Sequence, residues 1–426
     1  MPRIVVIGGG WAGCAAAMSA NKAGADVILV EKSDCLLGTG LVGGIMRNNG
    51  RFTAAEEMIA MGGGDLFRLA DEVARHVNVE FPGHQHATLY DVALMEPTVR
   101  RYLVDQGVEL WMMARARDVE KKDGRLEAVT LDNKERLEAD AFIEATGTAG
   151  PQGNCARYGN GCAMCILRCP SWGGRVSIAA KAGVQEMMGH RPDGTIGAMS
   201  GSCKLHKDSV DPAIVAELNR TGVAVVPIPK NLVHAEKLAT KACQQYALPA
   251  FAENLVLLDT GHVKLMTPFY PLDELRRIPG MQNARYEDPY AGGKGNSIRY
   301  LALSPRDDHL KVEGLDNLFC AGEKAGLLVG HTEAICTGTL AGHNAVRRTM
   351  GQPLVTIPRA TAVGDAIAHV REQMHTEEGM SKKYTFSGAV YFERMQELGT
   401  YTTDVEAIQE RVKAAGFEGF FAQRVV

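Results

Sequence analysis

A glycine motif near the start of the chain limits what its first segment can fold into. Residues 3–7 have the pattern of a short apolar strand, and an alanine-rich helix pattern follows. Gly8, Gly10 and Gly13 stand between them in the spacing Gly-x-Gly-x-x-Gly. The first glycine permits a tight turn, the second lets a pyrophosphate approach the backbone, and the third lets the helix pack on the strand. The motif therefore predicts a β-α-β unit that binds a dinucleotide at the helix N-terminus.

The second strand of this unit ends in an acidic residue. Residues 23–32 read as a returning strand that closes with Glu31, about 20 residues after the glycines. An acid at this place is expected to bond a ribose hydroxyl and disfavours a 2′-phosphate. Trp11 and Ala12, which open the helix, and Lys32, which follows the acid, are also assigned to the cofactor site. A glycine-rich turn in an unrelated α/β domain is the alternative.

Two later segments distinguish FAD from NAD. The sequence LFCAGE (residues 318–323) ends an apolar strand with a small turn and an acid, and HTEAICTGTLAG then opens a helix rich in small residues. EATG (residues 144–147) is the matching middle segment. Three segments in this order predict FAD, because a plain NAD dehydrogenase would not need the last one. The expected contacts in these segments are Thr146, Gly147, Gly322, Glu323, His331, Thr332, Glu333 and Ala334.

Three further residues are assigned to the cofactor site: Gly44, Arg47 and Val119. Arg47 lies in a glycine-rich segment just after the first β-α-β unit, where a guanidinium could contact a FAD phosphate or an anionic substrate. A surface salt bridge is the alternative for this arginine.

The whole chain is expected to be an α/β protein with a glutathione-reductase-type FAD-binding Rossmann domain. Residues 1–150 and 301–350 form the two parts of that domain, 151–300 an inserted α+β substrate domain, and 351–426 a helical C-terminal tail. The inserted segment is rich in Cys, Met, Pro and His, and its periodicity is weak. Elsewhere periodicity predicts helices over residues 54–78 and about 93–105, and a hairpin that turns at residues 122–124.

These segments together resemble the GidA/TrmFO group of flavoproteins, which includes tRNA uridine-modifying enzymes. The resemblance is carried by VVIGGGWAGCAAA, GLVGGIMRNNG, IPGMQNARYEDPY and VEGLDNLFCAGEKAGLLVGHTEAICTGTLAGHNAV. It covers the FAD-binding parts and is weaker in the insert. It implies a FAD domain with an inserted substrate domain, and a flavin reduced by NAD(P)H. In the methyltransferase members the flavin also works with methylenetetrahydrofolate and catalytic cysteines.

The chain departs from this family pattern at a catalytic position. In the methyltransferases a cysteine follows Leu-Val in the segment that resembles residues 40–47, whereas Gly43 and Gly44 stand here. A second family cysteine matches Cys203, which lies in a basic stretch that favours a thiolate. Cys203 and His331, which precedes the flavin-facing helix, are the catalytic candidates. An exposed loop thiol and a structural histidine are the respective alternatives.

Four of the ten cysteines are clustered: Cys155, Cys162, Cys165 and Cys169, the last followed by Pro170. Four converging thiolates would suit an iron–sulfur cluster or zinc, although the first gap is longer than in ferredoxins. A redox dithiol formed by Cys162 and Cys165 is a second interpretation. Burial along one helix face is a third. A cluster would serve as an electron relay beside the flavin.

The composition limits which cellular environment and which partners we expect for the chain. A net charge of −4 gives no support for nucleic-acid binding, although a local basic patch stays open. No apolar run approaches the roughly 20 residues of a membrane helix. The chain starts directly in a strand pattern, so we expect no targeting segment and a reducing cytoplasm. The sequence leaves open whether the chain forms a homo-oligomer or binds a redox partner.

Three functions are consistent with the sequence. The first is a FAD-dependent oxidoreductase that transfers a hydride or electrons to a small-molecule substrate. The second is a folate- and FAD-dependent tRNA uridine methyltransferase. The third is an electron-transfer flavoprotein subunit that serves a partner protein.

Overall fold

The computed structural model describes residues 1–148, 175–191, 193–194, 198–200, 203–240, 244–266, 270–287, 297–299 and 302–426. The strands are β1 (Arg3–Ile7), β2 (Asp26–Val30), β3 (Ile45–Met46), β4 (Ala74–Phe81), β5 (His84–Tyr90), β6 (Glu109–Trp111), β7 (Ala116–Lys122), β8 (Arg125–Leu131), β9 (Arg136–Glu138), β10 (Ala141–Glu144), β11 (Met187–Met188), β12 (Ala198–Ser200), β13 (Cys203–Leu205), β14 (Val223–Pro227), β15 (Asn254–Asp259), β16 (Val263–Leu265), β17 (Ser297–Arg299), β18 (Ala302–Leu303) and β19 (Leu318–Cys320). The α-helices are α1 (Trp11–Lys22), α2 (Gly50–Ala60), α3 (Asp65–Glu72), α4 (Val92–Asp105), α5 (Ile178–Lys181), α6 (Pro212–Thr221), α7 (Ala250–Glu253), α8 (Leu272–Leu275), α9 (His331–Thr349), α10 (Ala362–Met374), α11 (Glu377–Ser381), α12 (Ala389–Glu397) and α13 (Val405–Ala414).

A five-stranded parallel sheet in the order β19-β10-β1-β2-β6 forms the centre of the molecule. Its strands are almost continuously apolar and buried, as in β1 and β10, which is typical of a parallel sheet covered on both faces. The first, middle and last segments of the predicted cofactor site follow the carboxyl ends of β1, β10 and β19. These three strands lie side by side in the sheet, in the order β19-β10-β1. The carboxyl ends of these strands, where such sheets bind ligands, therefore bring the three segments together.

Helix α9 packs directly on α1 through glycines. A Cβ atom at Gly338 would lie 2.2 Å from the carbonyl oxygen of Ala12, and one at Gly342 would lie 2.2 Å from that of Ala16. The two contacts advance together along both helices, so the helices run in the same direction. The small residues of α9 thus let the backbones of the two helices come into contact.

A second part of the molecule is built on the antiparallel sheet β13-β16-β15-β14. One face of this sheet shares a core with the three-stranded sheet β3-β5-β4, in which Val79 and Leu89 pack with Phe251 and Leu258. Strands from the segment between residues 45 and 90 therefore pack with the inserted segment. The domain boundaries at residues 150, 300 and 350 stay predictions.

The helix predicted over residues 54–78 is wrong as one element. Helix α2 ends at Ala60, α3 begins at Asp65, and β4 begins at Ala74. Gly62 between the helices has a φ of +83°, a left-handed conformation that interrupts a helix. The predicted helix near residues 93–105 is confirmed as α4, and the predicted hairpin as β7–β8.

The predicted helical tail is confirmed and folds back on the first helix. Helices α10 to α13 are followed by a 3-10 turn, Phe420–Ala422, in which the Phe421 N–H donates to the Met61 carbonyl at 2.8 Å. The Val425 N–H donates to the Ala23 carbonyl at 2.9 Å, just beyond the end of α1. In the part of the chain that the structure describes, no helix is long and apolar enough to cross a bilayer.

The imidazole of His343 is buried under this tail. His343 is 1% exposed and packs against the rings of Phe420 and Phe421. Among the described residues, neither of its ring nitrogens has a hydrogen-bond partner. Burial, together with the nearby positive charge of Arg347, lowers its pKa from 6.5 to about 4.

We predict that His343 makes the fold sensitive to mild acid. Because the unfolded chain binds the proton more tightly, the free energy of unfolding should fall as pH drops from about 6.5 toward 4, with a loss of about 2 kcal/mol at pH 5. His343→Met should remove that part of the loss in denaturant unfolding at pH 7.5 and pH 5. The same substitution at the exposed His375 is the control. Equal pH dependence in both variants would contradict the prediction.

Candidate functional site

The three glycines of the first turn differ in how much space the protein leaves for a side chain. A Cβ atom at Gly8, whose φ is +104°, would lie 2.4 Å from the Ala145 carbonyl oxygen. One at Gly13 would lie 1.8 Å from the Gly8 carbonyl oxygen, so the helix could not approach the strand. One at Gly10 would meet nothing within 4 Å. The first and third glycines are thus required by the protein itself, whereas Gly10 borders open space at the N-terminus of α1.

Glu31 closes one side of this space. Its carboxylate is 7% exposed and accepts hydrogen bonds from the Gly9 N–H at 2.7 Å and from the Ser33 N–H and Oγ at 2.9 Å. The carboxylate therefore holds the glycine turn in shape from the end of β2. On the backbone side, the Ala114 N–H donates to the Glu31 carbonyl at 2.9 Å. Val119 lies further along the chain, paired with β8, and its assignment to the cofactor stays a prediction.

The N-termini of α1 and α9 meet beside the same space. Trp11 begins α1 and His331 begins α9, and their rings stack with centroids 5.4 Å apart. Gly322, with φ +66°, lies against Ala12, because a Cβ there would be 2.9 Å from the Ala12 Cβ. Each helix N-terminus carries a partial positive charge and free N–H groups. Two such ends at one place favour an elongated, negatively charged ligand.

The structure thus brings most of the predicted cofactor contacts to one region. These are Gly8, Gly10, Trp11, Ala12, Gly13, Glu31, Lys32, Thr146, Gly147, Gly322, Glu323, His331, Thr332 and Ala334. Thr148 Oγ1 donates to the Glu323 carboxylate at 2.6 Å, which ties the middle segment to the last one. Thr332 Oγ1 is fully buried and has no hydrogen-bond partner among the described residues.

A buried charge network supports the middle segment. The Glu144 carboxylate accepts from Thr146 Oγ1 and from two N–H groups at the start of α5, all at 2.9 Å. The fully buried ammonium of Lys324 lies 3.7 Å from Glu144 and also bonds Glu186. Burial opposes ionisation of Glu186, but Arg175 and Lys324 outweigh it and lower its pKa to about 2. No sequence motif points to Lys324.

The carboxylate of Glu333, a predicted cofactor contact, lies in an ion pair with Arg51, and its contact with the cofactor stays a prediction. Both of its carboxylate oxygens lie 3.2 Å from the guanidinium of Arg51, and one of them also accepts from Thr385 Oγ1 at 2.7 Å and the Phe386 N–H at 2.8 Å. Oε1 is therefore satisfied internally, whereas Oε2 has no hydrogen-bond partner among the described residues and is held only by the ion pair with Arg51. Arg51 could not be predicted from the sequence, because 282 positions separate it from Glu333 and no local pattern links them.

Arg47 and Gly44 also have structural partners. Arg47 forms two hydrogen bonds with Asp71, at 2.7 and 3.0 Å, and pairs with Glu56. Its guanidinium is thus occupied, which matches the salt-bridge alternative rather than a phosphate contact. Gly44, with φ +82°, packs against Thr260, since a Cβ there would be 2.4 Å from the Thr260 Cγ2.

An aromatic cluster lies under the glycine-rich turn that replaces the family's cysteine segment. The Tyr90 ring meets the Trp11 ring edge to face, with centroids 6.2 Å apart, and the His331 ring stacks on the Trp11 ring. A Cβ atom at Gly43 would lie 2.0 Å from His331 Cε1 and 2.5 Å from Tyr90 Oη. A cysteine therefore has no room at residue 43 in this arrangement. Tyr90 carries no sequence signal and was not predicted.

Cys203 lies in a sheet rather than in an exposed loop. It is buried at 6% exposure in β13, opposite Leu265. The cations of its basic stretch are paired, because Lys204 lies 3.7 Å from Glu287 and Lys207 lies 2.7 Å from Asp259. Its catalytic role stays a prediction.

The clustered cysteines Cys155, Cys162, Cys165 and Cys169 lie outside the described residues. Within the residues that are described, no group of three or more His, Cys, Asp or Glu side chains is arranged to hold a metal ion.

The fold and the site define an α/β dinucleotide-binding flavoprotein. The family model "Glucose inhibited division protein A" matches residues 3–247 and 261–353, which is well over half of the chain. The chain belongs to this family, and its resemblance to GidA/TrmFO flavoproteins is confirmed. The family binds FAD.

Individual relatives match over shorter or more divergent stretches. Methylenetetrahydrofolate–tRNA-(uracil-5-)-methyltransferase TrmFO of Dinoroseobacter shibae is 34% identical over 96 residues, 22% of this chain and 21% of that protein. TrmFO of Thermus thermophilus is 31% identical over 119 residues, 27% of this chain and 25% of that protein. These matches span about a fifth to a quarter of the relatives' length. The structure of Aquifex aeolicus GidA in the form II crystal has a TM-score of 0.65 at 18% identity, covering 98% of this chain and 74% of that one.

We predict that Gly10→Ala and Gly13→Ala separate cofactor binding from folding. Alanine at position 10 has room in the free protein but occupies the approach of a pyrophosphate, so FAD affinity should fall at least about tenfold with an unchanged thermal midpoint. Alanine at position 13 collides with the Gly8 carbonyl, so both the midpoint and FAD affinity should fall, although alanine favours helices. FAD titration and thermal unfolding of the apoprotein measure both effects. Parental FAD affinity in Gly10→Ala would contradict the prediction.

We also predict that Glu333 depends on Arg51 for its stability. Arg51→Met should lower the free energy of unfolding by about 3–5 kcal/mol, because it leaves a buried unpaired carboxylate. The double variant Arg51→Met/Glu333→Gln should recover most of this loss in denaturant unfolding. Arg220→Met, which breaks an exposed pair with Glu217, is the control and should cost less than about 1 kcal/mol. A double variant no more stable than the single one would contradict the proposed pairing.

Proposed function

We propose that this protein is a FAD-dependent enzyme that modifies uridine in tRNA. The observation that carries the cofactor part is the meeting of the α1 and α9 N-termini at the open space beside Gly10. The substrate part rests on membership of the family and on the relatives that act on uracil in tRNA.

The residues of the site divide the work of holding the cofactor. Gly10 and the N–H groups that open α1 would receive the pyrophosphate, and Glu31 would bond a ribose hydroxyl. The N–H groups at the start of α9 would lie at the flavin pyrimidine, where their positive end stabilises negative charge. When bound, FAD supplies hydride or electron-pair transfer, with NAD(P)H as the proposed reductant.

The charges around this place keep the field of α9 positive. Glu333 stands in the first turn of α9, where its carboxylate would offset the helix dipole. The paired guanidinium of Arg51 compensates that charge at 3.2 Å. Glu144 is likewise compensated by Lys324. The protein therefore compensates Glu333 and Glu144 with cations close to the site, whereas Glu31 is held by N–H and hydroxyl donors.

The chemistry proposed here does not use a thiol at residue 43. Glycine stands where the methyltransferases have a cysteine, and the contacts with His331 and Tyr90 leave no space for a side chain. A methyl transfer that depends on that thiol is therefore not available to this chain. We propose that FAD would supply hydride or electron-pair transfer for the modification, with NAD(P)H as reductant and methylenetetrahydrofolate as the source of any added carbon.

A FAD-dependent oxidoreductase acting on a small molecule is the second candidate. The glycine at residue 43 and the net charge of −4 favour it, because neither a base-activating thiol nor a basic surface is provided by the sequence. An electron relay through the clustered cysteines would belong to this candidate.

One experiment separates the two functions. The purified protein is loaded with FAD and mixed with NADPH or NADH, an unmodified tRNA transcript and methylenetetrahydrofolate labelled in its methylene carbon. We expect flavin bleaching by the nicotinamide nucleotide and a mass change in a uridine nucleoside after nuclease digestion. The presence or absence of label in that nucleoside shows whether folate is the carbon donor. The Gly10→Ala variant is the cofactor-deficient control.

The outcomes have different meanings. Flavin reduction without any change in the tRNA nucleosides, with and without folate, would overturn tRNA modification and leave the small-molecule oxidoreductase. Failure of the parental protein to bind FAD would overturn both.

A further inference from the structure

Two buried hydrogen-bond donors end against the same glycine turn. Trp11 is 3% exposed and Tyr90 1% exposed. Among the described residues, Trp11 Nε1 has no hydrogen-bond partner, and the Tyr90 O–H has no acceptor, although the Gly44 N–H faces the Tyr90 oxygen. A Cβ atom at Gly40 would lie 2.0 Å from Trp11 Nε1, and one at Gly43 would lie 2.5 Å from Tyr90 Oη. The Cα atoms of this turn thus cover both donors without accepting a hydrogen bond from either.

This arrangement is costly for the protein alone. A buried donor without an acceptor costs about 1–3 kcal/mol, and here two occur side by side. Unsatisfied buried groups of this kind are uncommon in folded proteins and call for a specific explanation. A ligand acceptor at this place would remove the cost, provided that the turn from Gly40 to Gly43 moves aside.

The chemistry of the cluster narrows the ligand. Both donors are neutral, and the flanking rings of Trp11, Tyr90 and His331 offer flat faces for stacking. The positive charge that acts on Tyr90 comes from Arg51, which is already paired with Glu333. A neutral carbonyl oxygen on a planar ring therefore suits the cluster better than a phosphate does.

We propose that Trp11 Nε1 and Tyr90 Oη form a donor pair that binds a carbonyl oxygen of a planar pyrimidine ring in place of the Gly40–Gly43 turn. The ring has two sources under the proposed function, on which this inference rests: the pyrimidine of the flavin or the uracil of the substrate. Both present carbonyl oxygens on a flat ring, and the experiment below distinguishes them.

The test uses Trp11→Phe and Tyr90→Phe, which remove one donor each and keep an aromatic ring. FAD affinity is measured by titration of the apoprotein, and uridine monophosphate affinity by calorimetry of the FAD-loaded protein. We expect one of the two affinities to fall about tenfold in each variant, the equivalent of one hydrogen bond. The thermal midpoint of the apoprotein should stay unchanged or rise, because an unsatisfied donor is removed.

Tyr391→Phe is the matched control. Its hydroxyl is equally buried but donates to the Ala362 carbonyl at 2.8 Å, far along the chain from the site. We expect this variant to lower the thermal midpoint and to leave both ligand affinities at the parental values.

Each outcome decides the inference. A loss of FAD affinity supports the donor pair and identifies the flavin ring as the ligand, whereas a loss of uridine monophosphate affinity alone identifies the substrate base. Parental affinities for both ligands, or a drop in thermal midpoint equal to that of Tyr391→Phe, would overturn the donor pair while the proposed function stands. Parental protein that binds neither ligand would overturn the proposed function and this inference with it.

Discussion

The contact between α1 and α9 is the constraint on which the rest of the site depends. Backbone meets backbone at Gly338 and Gly342, where a Cβ atom would lie 2.2 Å from a carbonyl oxygen of α1. This close approach holds two helices that are distant in sequence in the same direction and brings their first residues, Trp11 and His331, into ring contact. Two positive helix ends then share one open space at the edge of the parallel sheet. A bulky residue at either glycine would separate the helices and with them the two halves of the site.

Compensated charges complete this arrangement. Glu333 and Glu144 are buried near the site, and each would oppose a negatively charged ligand if it stood alone. Arg51 and Lys324 neutralise them in buried pairs. Because removing these charges from water is costly, the pairs are stable only when the charged groups lie close together and are well aligned. The pairs also join α2, α9 and the segment near residue 385, so that the electrostatics of the site and the stability of the fold rest on the same contacts.

Local patterns could be predicted wherever the cause was local. The turn of the β7–β8 hairpin and helix α4 follow from short-range signals, and both are confirmed. The segment over residues 54–78 could not be predicted in this way, because its apolar spacing resembles one helix although glycines at 62 to 64 interrupt it. The packing of the β3-β5-β4 sheet on the inserted sheet could not be predicted either, since it depends on a core shared by residues more than 150 positions apart in the chain, such as Leu89 and Leu258.

The sequence by itself determined the cofactor turn and its class, because Gly8, Gly10, Gly13 and Glu31 act through backbone conformation and close neighbours. It also determined that residue 43 lacks a thiol. Only the tertiary structure decided which side chains are available for a ligand. Arg47 and Glu333 were predicted to contact the cofactor, but each is occupied by charged partners that folding brings from elsewhere in the chain. Tyr90 became part of the site for the same reason, because a side chain acquires its role from neighbours that sequence order does not reveal.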